Sequence, residues 1–456
     1  NIISIFYRIT VKKVVYLYKN KRKVGMYMFG TQKVDRDGIL EIGGVSVKKL
    51  KEEYGTPLYV MDKNYIVEKA ELIKKNFKSK IFKTDVAYAS KAFLTVGMCK
   101  IVEKLDLCLD VVSGGEIYTA LKANFPMEKA HFHGNSKSIE ELEMAVKYNV
   151  GTIIVDNHLE FEMLHDICEK KQKKIDAILR INPGIDAHTH EYIQTSKFDS
   201  KFGESIFMKE TKELIRKINK SKWVKFEGIH AHIGSQIFDV TSFLKEAQVM
   251  TNYIKELVEE GIEVETLNLG GGYGIYYSEG DKPIDLEQCL KEQVRIIEEI
   301  NEEHNLGIKK LQIEPGRSLV ANAGTTLYTV QGLKTTYSGK NYYFIDGGMT
   351  DNIRPALYQA VYNGIIGNRC LEKKENMVTV AGKCCESGDL ILKDTKLQKA
   401  ELGDILCVFG TGAYNYSMAS NYNKIPRPAV VMVEDGKTVL MVRRESYEDL
   451  IRNDIY

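Results

Sequence analysis

The sequence predicts an α/β fold class: a (β/α)8 TIM-type barrel plus a mainly antiparallel β-domain built from the N-terminal segment and the C-terminal part. Three observations carry this expectation. Between residues 85 and 317, short and nearly continuous apolar runs alternate with helical stretches, the pattern of parallel strands covered on both faces. Polar residues gather at the C-terminal end of nearly every run, which suits the mouth of a barrel better than the single crevice of a doubly wound sheet. After residue 320 the texture changes to strands punctuated by Gly and Asp-Gly turns.

In chain order, residues 1–25 carry seven Lys or Arg and no acid. They lack a clean apolar stretch and a small-residue cleavage site, so they do not read as a signal peptide. With Met26 and Met28 just beyond, residues 1–28 are expected to be a disordered N-terminal extension. The segment "FGTQKVDRDGILEIGGVSVKKL" (29–50) has the β character of the C-terminal part and is expected to join its sheet. The β-domain would then be discontinuous, residues 29–58 and 320–456, with the barrel at residues 59–319.

The barrel strands are expected at "VAYAS" (86–90), "LDVVS" (109–113), "AHFHGN" (130–135) and "TIIVDN" (152–157). Four more follow at "AILRIN" (177–182), "FEGIHAHIG" (226–234), "TLNLGGG" (266–272) and "LQIEPGR" (311–317). Helical periodicity fills the gaps, as in "SIEELEMAVKYN" (138–149) and residues 240–260; Ser138 followed by Glu140 and Glu141 suits a helix start.

Composition narrows the class. The chain is 44% hydrophobic and 28% charged with net charge +2, a near-balance that argues against a nucleic-acid surface. No apolar run approaches the roughly 20 residues of a bilayer span, so no membrane role is expected. Eight cysteines, at 99, 108, 168, 289, 370, 384, 385 and 407, include no C-x-x-C pair, which points to a reducing cytoplasm.

Five features fall at the expected barrel mouth. Lys91 ends the first strand in "YASKAF", "HIGS" (232–235) the sixth, "GGGYG" (270–274) the seventh and "EPGR" (314–317) the eighth; "RINPG" and "DSKFG" surround the fifth. Gly270, Gly271, Gly272 and Gly274 leave backbone N–H groups bare at a strand end, a shape that cradles phosphate, although a tight turn alone also explains such a cluster. Arg317 beside them adds a planar fork suited to phosphate oxygens. Lysine, glutamate, histidine and a phosphate cradle in one barrel meet the needs of pyridoxal phosphate: a Schiff-base lysine, and an ionised group opposite the ring nitrogen. The plainer alternatives are a surface Lys91, a Glu314–Arg317 salt bridge and a hydrogen-bonded core His232. His188 and His190 have no third ligand at suitable spacing, so no metal is expected.

Ten stretches in order, "YASKAF", "DVVSGGE", "HGNSKS", "RINPGIDAHTHEYIQTSKFDSKFG", "GIHAHIGSQI", "LNLGGGYG", "IEPGRSLV", "IRPALY", "CCESGD" and "GTGAYNYSMASNYN", resemble the diaminopimelate decarboxylases. That family consists of fold-type III pyridoxal phosphate enzymes related to ornithine and arginine decarboxylases and to alanine racemase, and the resemblance runs from about residue 29 to about residue 445. It implies conversion of meso-2,6-diaminopimelate to L-lysine and CO2 with pyridoxal 5'-phosphate, by a cytoplasmic homodimer with shared sites.

Residue by residue, Lys91 resembles the Schiff-base lysine, His232 the stacking histidine and Glu314 the partner of the ring nitrogen. Ser235, Gly270, Gly271, Gly272, Gly316 and Arg317 resemble phosphate-side contacts, with Tyr414 closing the cofactor site. Arg317, Arg354, Tyr358 and Tyr414 resemble substrate contacts, Glu386 the reader of the substrate's distal end, and Cys385 the proton donor reaching in from a second subunit. Many family members have Pro where this chain has Lys383; the "ESGD" that follows selects Cys385 over Cys384. Glu386 with Arg354 suits a substrate whose far end bears both amine and carboxylate, rather than ornithine, arginine or carboxynorspermidine. The presence of Cys385, Arg354 and Tyr358 argues against a non-catalytic cofactor carrier, and Glu314 against a racemase.

Overall fold

The computed structural model describes residues 27–185 and 200–455; the expected N-terminal extension and the His188–His190 pair lie outside the described residues. The chain forms two compact units. One comprises Val67–Tyr276 and Gly280–Ala321; the other comprises the described residues up to Ile66, Tyr277–Glu279 and the chain from Asn322 onward.

In the first unit eight parallel strands close on themselves: Lys83–Ala89, Cys108–Val111, Ala130–Phe132, Thr152–Val155, Ile175–Asn182, Val224–His230, Thr266–Asn268 and Lys310–Ile313. Closure comes from pairing of the eighth strand with the first, for example Gln312 with Asp85, and of the fourth with the fifth, Ile154 with Ile178. Apolar residues such as Leu109, Ile153, Leu179, Ile229 and Leu311 are buried because the strands are covered on both sides.

The helices that follow six of the eight strands begin at a side-chain cap. Thr95, Ser113, Ser138, Asn157, Asp239 and Asp285 each accept a hydrogen bond from a first-turn N–H, and Ser138 forms a full capping box with Glu141. Such a cap stabilises a helix by about 1 kcal/mol. It also fixes where the chain leaves each strand end, which is where the candidate site residues sit.

The second unit holds a three-stranded sheet and a nine-stranded sheet. The segment 29–50 does not join the larger sheet as expected. Its strands Lys33–Val34, Leu40–Ile42 and Val45–Ser46 make the small antiparallel sheet, attached by Leu40 N–H donating to the Gly367 carbonyl at 2.7 Å. Packing explains the separation: Ile42, Val45 and Leu50 share a core with Leu58, Leu327 and Val433, so the segment covers the sheet face instead of lengthening its edge. The strand that does enter is Leu58–Asp62, fully buried, antiparallel to Gly324–Thr335 and parallel to Ala429–Glu434. Among the described residues no helix is long and apolar enough to cross a membrane.

Candidate active site

Lys91 follows the first barrel strand in a 3-10 turn, Ser90–Ala92. Two bonds lock that turn. The Tyr88 hydroxyl donates to the Phe93 carbonyl at 2.7 Å, and the Ser90 hydroxyl donates at 2.6 Å to Glu116, which also accepts from Val112 N–H. Ser90 and Ala92 are buried while Lys91 itself is exposed. The turn therefore presents one amine from an otherwise closed strand end.

Glu314 follows the eighth strand and is buried. Its carboxylate accepts from the Asn268 amide at 2.6 Å, lies 2.8 Å from His133 Nε2 and bonds His230 Nε2 at 3.1 Å. Burial alone would raise this carboxyl; the two imidazoles outweigh it and hold the group well below the ordinary carboxylate range. Their rings meet edge to face, with centroids 5.0 Å apart. Behind them Asp110, 3.8 Å from His133, is pushed up to about 6 by burial. His133, His230 and Glu314 have ligand atoms within 4.8 Å of one another, a spacing that admits a metal ion. Here the imidazoles and the carboxylate serve one another as partners.

His230 and His232 divide their work. His230 supports Glu314, whereas His232 Nδ1 accepts the Gly271 N–H at 3.1 Å. Burial, with the Lys91 ammonium adding to it, pulls His232 well below its usual value, so its ring is neutral at neutral pH.

The glycine loop differs in one respect from the sequence expectation. Three N–H groups expected to be bare are engaged: Gly270 donates to the Asn268 side chain, Gly271 to His232 and Gly274 to the Ile237 carbonyl. What these glycines provide is close approach. A Cβ on Gly271 would lie 2.3 Å from the Glu314 carbonyl oxygen, and one on Gly272, whose φ is +104°, 2.1 Å from that of Gly234. Gly316 is similarly tight, since its Cβ would lie 2.9 Å from the Ala89 methyl. Arg317, buried at the start of the short helix Arg317–Val320, donates through Nη2 to the Ser235 hydroxyl at 3.0 Å. The loops after the sixth, seventh and eighth strands thus meet around one set of donors.

In the second unit, Arg354 is buried at the start of the helix Arg354–Tyr358. Its Nε donates to the Tyr362 hydroxyl at 3.0 Å, and its guanidinium lies 5.0 Å from the Tyr358 ring centre and 5.3 Å from that of Tyr414. Tyr414 holds φ +67°, a left-handed conformation costly for an aromatic residue, and its ring faces the cation. Cys385 and Glu386 are exposed in the turn after the strand Asn376–Ala381. Asp389 organises that turn, accepting from Met349 N–H at 2.6 Å and Cys384 N–H at 2.8 Å. Cys384 is buried and its thiol is pushed up to about 11 by that burial.

Lys91, His232, Ser235, Gly270, Gly271, Gly272, Glu314, Gly316 and Arg317 fall together in the barrel unit; Arg354, Tyr358, Tyr414, Cys385 and Glu386 fall in the other. Asp110, His133, Asn268 and Asp389 are not singled out by sequence reasoning. The only signal lies in their motifs, "DVVSGGE", "HGNSKS", "LNLGGGYG" and "CCESGD". The donor set fits pyridoxal phosphate: an accessible amine, an ionised buried carboxylate, a neutral imidazole, and a Ser–Arg pair beside a loop too tight for side chains.

Comparison with known proteins agrees. Residues 63–321 match the family model described as pyridoxal-dependent decarboxylase, pyridoxal binding domain. The diaminopimelate decarboxylase of Bacillus subtilis is 48% identical over 94% of this chain and 98% of its own length. That of Staphylococcus aureus is 43% identical over 93% and 99% respectively. Among solved structures, diaminopimelate decarboxylase from M. jannaschii in complex with L-lysine is 35% identical, covers 93% of this chain and 98% of that one, and superposes with a TM-score of 0.85. The chain belongs to the pyridoxal-dependent decarboxylases and, within them, to the diaminopimelate decarboxylases.

Proposed function

We propose that Lys91, His232, Ser235, Gly270, Gly271, Gly272, Glu314, Gly316, Arg317 and Tyr414 hold pyridoxal 5'-phosphate, and that Arg317, Arg354, Tyr358, Glu386 and Tyr414 receive the substrate. The reaction is the decarboxylation of meso-2,6-diaminopimelate to L-lysine and CO2. The observation that carries the residue roles is Glu314. Asn268 and His230 hydrogen-bond its two oxygens and His133 Nε2 lies 2.8 Å away, while a carboxylate offers about four lone-pair sites. Room is left for the protonated nitrogen of a pyridine ring.

When bound, the cofactor would supply the electron sink for the pair left when CO2 departs. Lys91, presented by its locked turn, would be the lysine that holds its aldehyde. Glu314, ionised, would keep the ring nitrogen protonated, and neutral His232 would offer an uncharged flat face. Ser235 and Arg317 supply phosphate donors. Arg354, bounded by the Tyr358 and Tyr414 rings, holds the carboxylate that must stay, which decides which end of the near-symmetric substrate reacts. Glu386 reads the distal end, and Cys385 delivers a proton to the Cα that has lost its carboxylate.

Cys385 and Glu386 act in the site of a second copy, making the enzyme a homodimer with shared sites; their exposure supports this. A cytoplasmic location suits eight cysteines that are all free thiols.

Glu314→Gln tests the reading. Lysine formed from meso-diaminopimelate should fall by about 10²–10³-fold while the purified variant keeps its cofactor. Wild-type turnover would reduce Glu314 to a structural partner of the two histidines.

A further inference from the structure

We propose a second binding site in the barrel unit, at the N-terminal ends of its strands, for a primary alkylammonium ion. A cavity of about 270 Å3 lies there, lined by residues from strand starts and the turns that enter them. None of the residues proposed for catalysis lines it.

The charge balance is the first argument. The three lining ammonium groups are each matched to a lining acid: Lys83 with Asp85 at 3.2 Å, Lys129 with Asp106 at 2.5 Å and Lys310 with Glu227 at 3.6 Å. Asp176 and the exposed Glu128 form no ion pair among the described residues, although Lys225 and Lys310 act on Asp176 from farther away, so lining acids outnumber lining ammonium groups. Asp176 is raised by burial and then by the neighbouring Glu227 charge, and the longer-range pull of Lys225 and Lys310 does not cancel that rise.

Unmet hydrogen bonding is the second and independent argument. His131 Nδ1 and Gln312 Oε1 both line the cavity, both belong to side chains more than nine-tenths buried, and neither atom has a partner. A buried polar atom left unpaired costs about 1–3 kcal/mol. His131 is pulled down to about 4 by burial, so its ring is neutral, and the tautomer with its proton on Nε2 offers Nδ1 as an acceptor. The unmet groups are thus acceptors, set beside an excess of carboxylates over ammonium groups in the lining.

An R–NH3+ group brings one positive charge and three donors with no acceptor, which matches a carboxylate, an amide oxygen and an imidazole nitrogen. A bare metal fits less well. Among the described residues, the trio of His, Cys, Asp or Glu ligand atoms within 4.8 Å of one another is His133, His230 and Glu314, none of which lines this cavity.

The test uses holoenzyme reduced with borohydride, which fixes the cofactor to its lysine and removes it as a partner for amines. Calorimetric titration with propylammonium should show saturable binding at one site per chain. Tetramethylammonium, with the same charge and no N–H donor, should bind at least about tenfold more weakly. Asp176→Asn and Gln312→Met should each weaken propylammonium binding by about tenfold or more. If Gln312→Met does not fold, Asp176→Asn and Glu128→Gln carry the same comparison. Absence of saturable binding, binding unchanged in the folded variants, or equal competition by potassium ions would overturn the proposal and leave a cavity filled by water. No lining residue carries a proposed catalytic role, so that result would leave the reading of Lys91 and Glu314 untouched.

Discussion

The two units solve the problem of presenting chemistry in opposite ways. In the barrel unit the decisive charges are buried and face one another: Glu314, His133 and His230 are all nearly inaccessible, and each is answered by a neighbour. In the other unit Cys385 and Glu386 stand exposed on a turn, and Arg354 is held by aromatic rings with no carboxylate bonded to it among the described residues. A buried carboxylate stays ionised only if donors surround it, so the barrel must fix its groups by strand ends and close packing. A proton donor or substrate clamp works on a group that comes and goes, and a well-anchored turn suffices. The barrel groups should therefore govern the chemical step, while those of the β unit should govern proton delivery and recognition.

The sharpest way to break this contrast is Lys91→Ala, which should abolish lysine formation and the imine absorbance of the bound cofactor together. Retained turnover would remove the barrel's central role. Cys385→Ala should cost about 10²–10⁴-fold in turnover, whereas Cys384→Ala, removing a buried thiol, should leave turnover near wild type. Reversal of that order would reassign the donor. If the turn serves a second copy, mixing inactive Lys91→Ala with inactive Cys385→Ala should restore about a quarter of wild-type activity, since half the chains' pairings are mixed and each has one intact site. Arg354→Gln should have a smaller effect than Lys91→Ala or Cys385→Ala, lowering kcat/KM for meso-diaminopimelate by roughly 10–100-fold through loss of a charged hydrogen bond, with activity on ornithine little changed.

The barrel was legible because its strands are apolar runs, and all eight lie where those runs predict. The errors at their ends are systematic. The first strand begins at Lys83 rather than Val86, the fifth at Ile175 rather than Ala177 and the sixth at Val224 rather than Phe226. Charged residues, Lys83, Asp85, Asp176 and Lys225, interrupt the apolar signal there; three of them face the lower cavity or flank it, and no periodicity rule anticipates polar groups inside a barrel. At the other ends the runs read too long, because "HGN" and "LGGG" leave the sheet to form the mouth.

Lys91 and Glu314 stand out in the sequence as charges within apolar surroundings. Asp110, His133 and Asn268 do not, because the meaning of His133 and Asn268 lies in meeting Glu314 across the barrel and that of Asp110 in meeting His133, and spacing along a chain does not encode those encounters. The segment 29–50 departs from its expected place for a related reason. Its alternation marks β structure, but the choice between edge and face is made by the core it packs on.

The most direct test of the account is to reduce the holoenzyme with borohydride, digest it and locate the modified peptide by mass spectrometry. A pyridoxyl group on Lys91 alone is the predicted result. Its appearance on another lysine, such as the buried Lys137 that already bonds Glu160 at 2.6 Å, or on none, would contradict the assignment on which the rest depends.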